Sequence, residues 1–411
     1  MNDFCTQNPP AEFLASFAEF VPLAAELVPL GQARGRVVAK PLISPEALPP
    51  FARSLMDGYA VRAADTSGCS ESAPALLTLT GEIAAGQGQT LPLGPGQAVR
   101  IWTGGELPSA ADAVVMSEHA RLVDRKTVAV MGPAGPADNM VRAGEDYAPG
   151  ASLFVAGHRL RVQDLALLAG LGITTVPVFL RPKVAILSTG DELVPPDQTP
   201  PPGKIRNANS ISLAALVEEA GGLPLPRGIC PDDFDRMLAL CTEAINEADM
   251  LLLSGGSSLG RRDFTRQVFA AIPDSAILVP GVAINPGRPA ILARQGNKAL
   301  FGLPGHTPSA LVGFVCFVRP LLRLYTGLGP TLGLPTVRAV IGQPICSTVG
   351  REEYIRVCLT SQGDGAPPLA TPISGKPGLI GPLVRAHGLL PISRDAGGLD
   401  EGAEVTVLLL P

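Results

Sequence analysis

The sequence is short of charge and of aromatic rings: Asp, Glu, Lys and Arg make up 17% of its 411 residues, and Phe, Trp and Tyr only 4%. With 46% hydrophobic residues, so little charge excludes a disordered chain, and the scarcity of rings means that the cores must be aliphatic. No basic arm or polybasic run occurs and the net charge is −5, so neither nucleic acid nor an anionic membrane is an expected partner. A small anion remains possible, because local arginines and backbone amides hold one at any net charge. No apolar stretch approaches about 20 residues without Gly, Pro or a charge, so no membrane span is expected. The start, MNDFCTQNPP, lacks a basic segment followed by an apolar one, which argues against a secretory signal. CxxC spacing is absent from the seven dispersed cysteines, Cys5, Cys69, Cys230, Cys241, Cys316, Cys346 and Cys358. They read as reduced thiols of a cytoplasmic protein.

What the chain has instead is glycine (46) and proline (42), scattered without a period, which implies many turns and short strands. This length predicts two to four domains. Residues 11–30 are apolar at helical spacing (Phe13, Leu14, Phe17, Phe20, Val21, Ala24, Leu27) and predict one helix ending before Gly31. Short β-like runs between Gly and Pro over 55–140 predict a small β-rich domain, followed by a helix at 162–170 and a strand at 173–180. From Arg181, strands at 184–187, 250–253, 277–279, 290–292 and 299–301 alternate with helices at 210–220, 234–247 and 309–325. That alternation predicts a mostly parallel, doubly wound sheet. Beyond Gly329 only strands are expected, at 337–341, 354–359, 389–392 and 404–410.

In open parallel sheets, ligands sit beyond the carboxyl ends of the strands. Three such strand ends run into unusual loops: Ser188-Thr189-Gly190-Asp191-Glu192, Ser254-Gly255-Gly256-Ser257-Ser258-Leu259-Gly260, and Gly302-Leu303-Pro304-Gly305-His306-Thr307. Glycine lets backbone N–H groups approach a phosphate, and a following helix favours the anion. The adjacent carboxylates of the first loop suit a hard cation such as Mg²⁺. A phosphate-bearing ligand handled with a divalent metal is the reading these residues support, although each loop alone is more often just a turn.

Longer motifs add a resemblance. Pro49-Pro50-Phe51 leading into Ser54-Leu55-Met56-Asp57-Gly58-Tyr59-Ala60, then Arg100-Ile101-Trp102-Thr103-Gly104-Gly105-Glu106-Leu107-Pro108, Arg142-Ala143-Gly144-Glu145-Asp146, Ser188–Leu193, Ile205–Ser210 and Leu303-Pro304-Gly305 resemble, in order, the segments of the molybdopterin molybdenumtransferase (MoeA) family. The resemblance spans about residues 35–325, and the last portion also fits. It implies an elongated, multidomain α/β plus β subunit. The expected division is 1–45 with 141–178 as an N-terminal and linker domain, 46–140 as an inserted β-rich domain, 179–327 as a molybdopterin-binding αβ domain, and 328–411 as a C-terminal β domain. It further implies a homodimer whose cleft lies between the β domain of one protomer and the αβ domain of the other. The implied reaction converts adenylylated molybdopterin and molybdate to the molybdenum-loaded cofactor and AMP, with Mg²⁺. The adenylyltransferase that makes the substrate and acceptor molybdoenzymes are implied partners.

Carried over residue by residue, the resemblance marks Asp57, Thr103, Asp146, Glu192, Asp232 and Asp263 as catalytic, with Asp191, Glu192 and Asp232 at the metal. Ser188, Thr189, Gly190, Ser254, Gly255, Gly256, Arg288, Pro304, Gly305 and His306 would bind the pterin substrate. Plainer roles compete: Asp57 as a turn residue, Asp232 as a helix N-cap, Thr103 as a strand end, and Glu145 with Asp146 as a solvated pair. The chain departs from the family pattern at 257–262, at Asn285 and Arg288 where many members have lysines, and at His306. Arg288 keeps a cation with bidentate geometry. These departures leave an alternative, a catalytically altered paralogue that carries molybdopterin or its cofactor to a molybdoenzyme.

Overall fold

The structure, a computed structural model, describes residues 8–87, 91–255, 264–287, 290–363, 365–376 and 378–410. Its centre is a six-stranded sheet in the order Leu223–Cys230, Lys183–Thr189, Met250–Ser254, Lys298–Leu303, Ile291–Gln295, Ser275–Val279. The first four strands are mutually parallel, while Ile291–Gln295 runs antiparallel to both its neighbours. Helices cover both faces, so its inner strands are apolar throughout and their side chains alternate between two cores. Val184, Ile186, Met250, Leu252, Ala299 and Phe301 enter one core, and Ala185, Leu187, Leu251, Leu253 and Leu300 enter the other.

The chain reaches this sheet along a two-way stem. Ala25–Pro29 pairs antiparallel with Thr175–Phe179, Leu42–Ile43 with Ser152–Phe154, and Arg53–Ser54 with Met140–Val141. Residues 55–139 therefore leave and return at one point, as an insertion. They build a six-stranded sheet ordered Ala113–Met116, Gly58–Val61, Gln97–Ile101, Ala75–Ile83, Thr127–Val130, Ala120–Asp124. Strand alternation again serves two cores, with Tyr59 and Val61 on one side and Ala60 on the other. At the C-terminus, Glu352–Thr360, Leu369–Pro372, Thr336–Ile341, Glu404–Leu409 and Gly388–Ile392 pair in that order, and the last strand pairs back to the first. That closes a small barrel and removes its edges. Ile284–Asn285 adds to Glu352–Glu353 and ties the barrel to the αβ unit.

The sequence reading departs from the structure most at the start. Residues 11–30 are not one helix: an α-helix covers Pro10–Ala15, a 3₁₀ turn Ser16–Glu19, and a strand Ala25–Pro29. Pro22 withholds a donor and disfavours helix at Val21, and the Thr175–Phe179 strand gives the residues beyond Ala24 an extended partner. The apparent stripe splits accordingly. Phe13, Phe17 and Phe20 are buried in the αβ core, with Phe13 4.2 Å from Phe317 between ring centres, whereas Leu27 is 72% exposed. At the far end, Thr307–Gly313 and Arg319–Tyr325 are α-helical with a π turn, Phe314–Val318, between them. Pro320, which has no N–H to donate, follows that turn directly. This helical run is long and apolar enough to cross a membrane by composition, yet 78% of its apolar window is buried inside the protein. The sequence reading included no helix at Thr265–Ala271, and it expected only strands beyond Gly329, where Gly381–Val384 forms a short helix.

Candidate functional site

The strands Lys183–Thr189, Met250–Ser254 and Lys298–Leu303 are neighbours in the sheet, with Ser188 opposite Ser254 and Ser254 opposite Leu303. The three loops singled out in the sequence therefore emerge side by side. Ser188, Thr189 and Ser254 are almost fully buried. The Ser188 hydroxyl donates to Asn207 Oδ1 at 3.2 Å and stands 3.1 Å from the Ser254 hydroxyl. One hydroxyl has one proton to give, so Ser254 is the donor in that second contact. Asn207 Oδ1 also accepts the Ser210 N–H, holding the first turn of the Asn209–Glu219 helix to the loop. Asn209, itself buried, donates to the Gly305 carbonyl at 2.8 Å and accepts the Thr307 hydroxyl at 2.7 Å. Asn207 and Asn209 were quoted only as part of a motif; their signal was a pair of amides flanking a helix start after a strand.

Gly255 is the closest approach of the three loops. Its φ is +100°, a region that favours glycine, and a β-carbon there would stand 2.2 Å from the Thr189 carbonyl oxygen. A β-carbon on Gly305 would in turn lie 3.6 Å from Gly255 Cα. The Gly255 N–H donates to the Leu303 carbonyl at 3.0 Å, so the three loops are held together at one strand edge, where a bulkier residue at 255 has no room. Pro304 lies between the last strand and Gly305. His306 is exposed at the N-terminal end of the Thr307–Gly313 helix, and its ring lies against Gly378 of the terminal domain, where a β-carbon would be 3.2 Å from Cδ2.

Acidic residues surround this edge. Asp232 accepts the Thr189 hydroxyl at 2.9 Å, and its own N–H donates to Asp191 Oδ1 at 3.2 Å. The N-cap role proposed for Asp232 belongs to its neighbour Asp233, which accepts the Arg236 N–H at 2.8 Å. Glu192 is exposed, with its carboxylate folded over Gly190, where a β-carbon would stand 2.6 Å from Oε2. Asp191, Glu192 and Asp232 do not form a ready-made cage: among the described residues no three Asp, Glu, His or Cys side chains are grouped to enclose a metal ion. The reason is local, since one oxygen of Asp232 already serves Thr189 and one of Asp191 serves the Asp232 amide. Gly256, Asp263, Arg288 and the altered stretch 257–262 lie outside the described residues.

A second cluster sits on the inserted sheet. Asp57 Oδ1 accepts both the backbone N–H and the hydroxyl of Thr103, at 2.8 and 2.7 Å. These two bonds, then the nearby Arg100 charge, hold the Asp57 carboxyl below the usual carboxylate range despite a small opposing effect of burial. Arg100 stacks 4.6 Å over the Trp102 ring, whose N–H donates to Glu82. Gly58 follows because a β-carbon there would stand 2.0 Å from the Val115 carbonyl oxygen. Asp146 is exposed, its N–H bonded to the Leu48 carbonyl, so the 144–147 turn lies against the segment that leads to Asp57. Its neighbour Glu145 accepts the Arg142 N–H rather than standing free in water. Among the described residues, neither Asp57 nor Thr103 hydrogen-bonds to the αβ loops.

Asn285, where many family members have lysine, donates to Glu353 Oε1 at 2.9 Å. Glu353 is buried and also paired with Arg351 at 2.9 Å. Asn285 therefore joins the αβ unit to the terminal barrel.

A doubly wound sheet with glycine-lined loops and carboxylates at one strand edge has the architecture of an αβ ligand-binding domain, and residues 185–324 match the family described as a probable molybdopterin binding domain. Residues 9–172 match the MoeA N-terminal region (domain I and II), and 338–410 the MoeA C-terminal region (domain IV). The chain is 35% identical to molybdopterin molybdenumtransferase 2 of Mycobacterium tuberculosis over 92% of its length and 94% of that protein's. It is 33% identical to the molybdopterin molybdenumtransferase of Bacillus subtilis, over 94% and 90%. The crystal structure of the molybdopterin biosynthesis MoeA protein from Pyrococcus horikoshii OT3 superposes with a TM-score of 0.83 at 32% identity, covering 98% of this chain and all of that one. The chain belongs to the molybdopterin molybdenumtransferase (MoeA) family, a family of transferases.

Proposed function

We propose that this enzyme inserts molybdenum from molybdate into adenylylated molybdopterin and releases AMP, assisted by Mg²⁺. The observation that carries the reading is Gly255, which brings the Ser254 loop against the Thr189 and Gly305 backbones with no space for a side chain. Such a glycine-lined turn after a parallel strand suits a phosphate bound by backbone amides. The buried hydroxyl and amide network of Ser188, Ser254, Asn207 and Asn209 holds the three loops in place before the ligand arrives, and a preorganised site lowers the cost of binding anionic groups.

Asp191 and Glu192, with Asp232 behind them, provide hard oxygen donors beside that turn. Mg²⁺ is usually held by one or two carboxylates completed by substrate phosphates and water, so a full protein cage is not required. When bound there the ion supplies charge neutralisation at the diphosphate. Asp57, ionised at neutral pH, acts as an acceptor that orients a water or a cation and not as a proton donor. Asp57, Thr103 and Asp146 on one protomer complete the cleft over the αβ loops of its partner in a cytoplasmic homodimer, with Asp263 and Arg288 contributing from the αβ side.

The test is to supply purified protein with adenylylated molybdopterin, molybdate and Mg²⁺ and to measure AMP. Release that stops on chelation and returns with Mg²⁺ is the expected result. Binding of the pterin without AMP release, at every Mg²⁺ concentration, would replace insertion by a carrier role. Light scattering should give twice the 42.4 kDa chain mass.

A further inference from the structure

Away from the site just described, a cavity of about 30 Å³ opens where the stem meets the αβ unit, lined by Arg36, Arg159, Arg181, Arg319, Arg323 and Glu219 among others. Such a volume holds roughly two waters. The arginines come from separate stretches. Arg36 and Arg159 sit on the stem, Arg181 at the junction, and Arg319 and Arg323 on the last turns of the long helix.

Three of the five are already engaged. Arg36 pairs with Glu26 and donates to the Phe179 carbonyl at 2.7 Å, Arg181 donates to the Gly221 and Gly222 carbonyls, and the buried Arg319 pairs with Glu219 and donates to the Leu332 carbonyl at 2.7 Å. These bonds account for the positions of three arginines by ordinary helix-end and junction chemistry. They do not account for the other two. Arg159 has only the Gly35 carbonyl, at 3.2 Å, and Arg323 pairs with no acid among the described residues. Arg323 Nε is moreover buried with no hydrogen-bond partner among the described residues. Its guanidinium is seated over Gly333, where a β-carbon would stand 2.3 Å from the nearest nitrogen. Burial, then the charges of Arg319 and Arg159, disfavours its charged form. Arginine does not give up its proton in such a place, so the repulsion calls for a counter-ion. Glu219 is already shared with Arg319, and no ion pair reaches Arg159, Arg181 or Arg323 among the described residues.

We infer that this cavity binds a tetrahedral oxyanion, held between Arg323 and Arg159, that bridges the stem and the αβ unit. Arginine forks match such oxygens two at a time, and an ion touching both bodies fixes the angle at which the inserted domain is carried. The inference is independent of the reaction proposed above. Phosphate, sulfate and molybdate share the required shape and charge.

Calorimetric titration of the full-length protein with each of the three anions, at constant ionic strength set with chloride, tests it. At least one should bind saturably in the wild type, and binding should weaken tenfold or more in Arg323→Gln and in Arg159→Gln. The exposed Arg159 guards against a folding defect in the first variant. Crystals soaked in molybdate should show its anomalous signal between these arginines if molybdate is the ion; a titration favouring phosphate or sulfate names the other sources. Equal saturable binding in wild type and in the folded Arg159→Gln variant, or no saturable binding of any of the three, overturns the inference.

Discussion

Asp57 takes two hydrogen bonds from one residue, Thr103, through a single carboxylate oxygen, which leaves its second oxygen facing solvent on the inserted sheet. Two segments 46 residues apart in sequence are thereby fixed to each other at the exposed end of that domain.

Asp57→Ala should lower AMP release by about 100-fold, the scale of losing a group that positions a reactant, with an unchanged melting temperature because the side chain is exposed. Thr103→Val keeps the backbone bond and loses the hydroxyl, so a drop of roughly tenfold is expected, at the scale of one charge-assisted bond. Carboxyl carbon NMR provides the second readout. The Asp57 resonance should titrate below the ordinary value of 3.8 in the wild type and move up towards it in Thr103→Val. A wild-type turnover in Asp57→Ala would place the site elsewhere.

Gly255→Ala sets a β-carbon against the Thr189 carbonyl in a backbone conformation with φ of +100°. The cost is about 1–3 kcal/mol of strain, relieved only by moving the Ser254 loop. Pterin affinity, followed by fluorescence, should fall more than tenfold while the inserted sheet keeps its hydrogen-exchange protection. Unaltered affinity would mean that the turn is only a turn.

Asp164 is nearly buried and receives Arg161 through both its backbone N–H and its guanidinium, and His158 at 2.7 Å. Burial pushes its carboxyl up, but the Arg161 and His158 bonds outweigh that and hold it well below the usual range. A depressed folded value means stability that is present above the unfolded pKa near 4 and is lost as pH falls towards the folded value. Asp164→Asn should therefore cost roughly 3 kcal/mol at pH 7, and the gap to wild type should shrink below pH 4. Thermal melts at pH 7, 5 and 3 check both the size and the sign.

Glu353 holds Asn285 and Arg351 together across the seam between the αβ unit and the barrel. Glu353→Gln should destabilise by about 1 kcal/mol, since the buried Glu353 loses its charge while its partner Arg351 stays partly solvated. Asn285→Lys, which puts a cation beside that acid, should melt at or above the wild-type temperature. If the lysine variant melts as low as the glutamine one, Glu353 is not the partner that matters at 285.

The legible part of the fold was the part with strong periodicity. Val162–Gly170 and Phe234–Glu247 stand where the sequence reading put those helices, and the strands around Val184, Met250 and Lys298 fall within a few residues of expectation. Apolar runs of that length, bounded by Gly and Asp, admit few other structures. The stretch 11–30 was misread because Phe13, Phe17 and Phe20 mimic a continuing helical stripe, and only the strand Thr175–Phe179, 150 residues on, decides that Ala25–Pro29 is extended. Asp232 and Asp233 could not be told apart from sequence for a similar reason. Which of two adjacent acids caps a helix depends on one peptide rotation, whereas Thr189, which claims Asp232, comes from a different strand.

By itself the sequence determined the succession of a β-rich region, an alternating αβ region and a β end, because periodicity and glycine placement act locally. It also held the motifs that place the chain in its family. Tertiary structure alone decided which loops meet: the Ser188–Ser254 and Thr189–Gly255 contacts depend on strand order, and the lone Arg323 on where two bodies join. Those relationships come from through-space packing of distant segments, and no spacing within a segment encodes them.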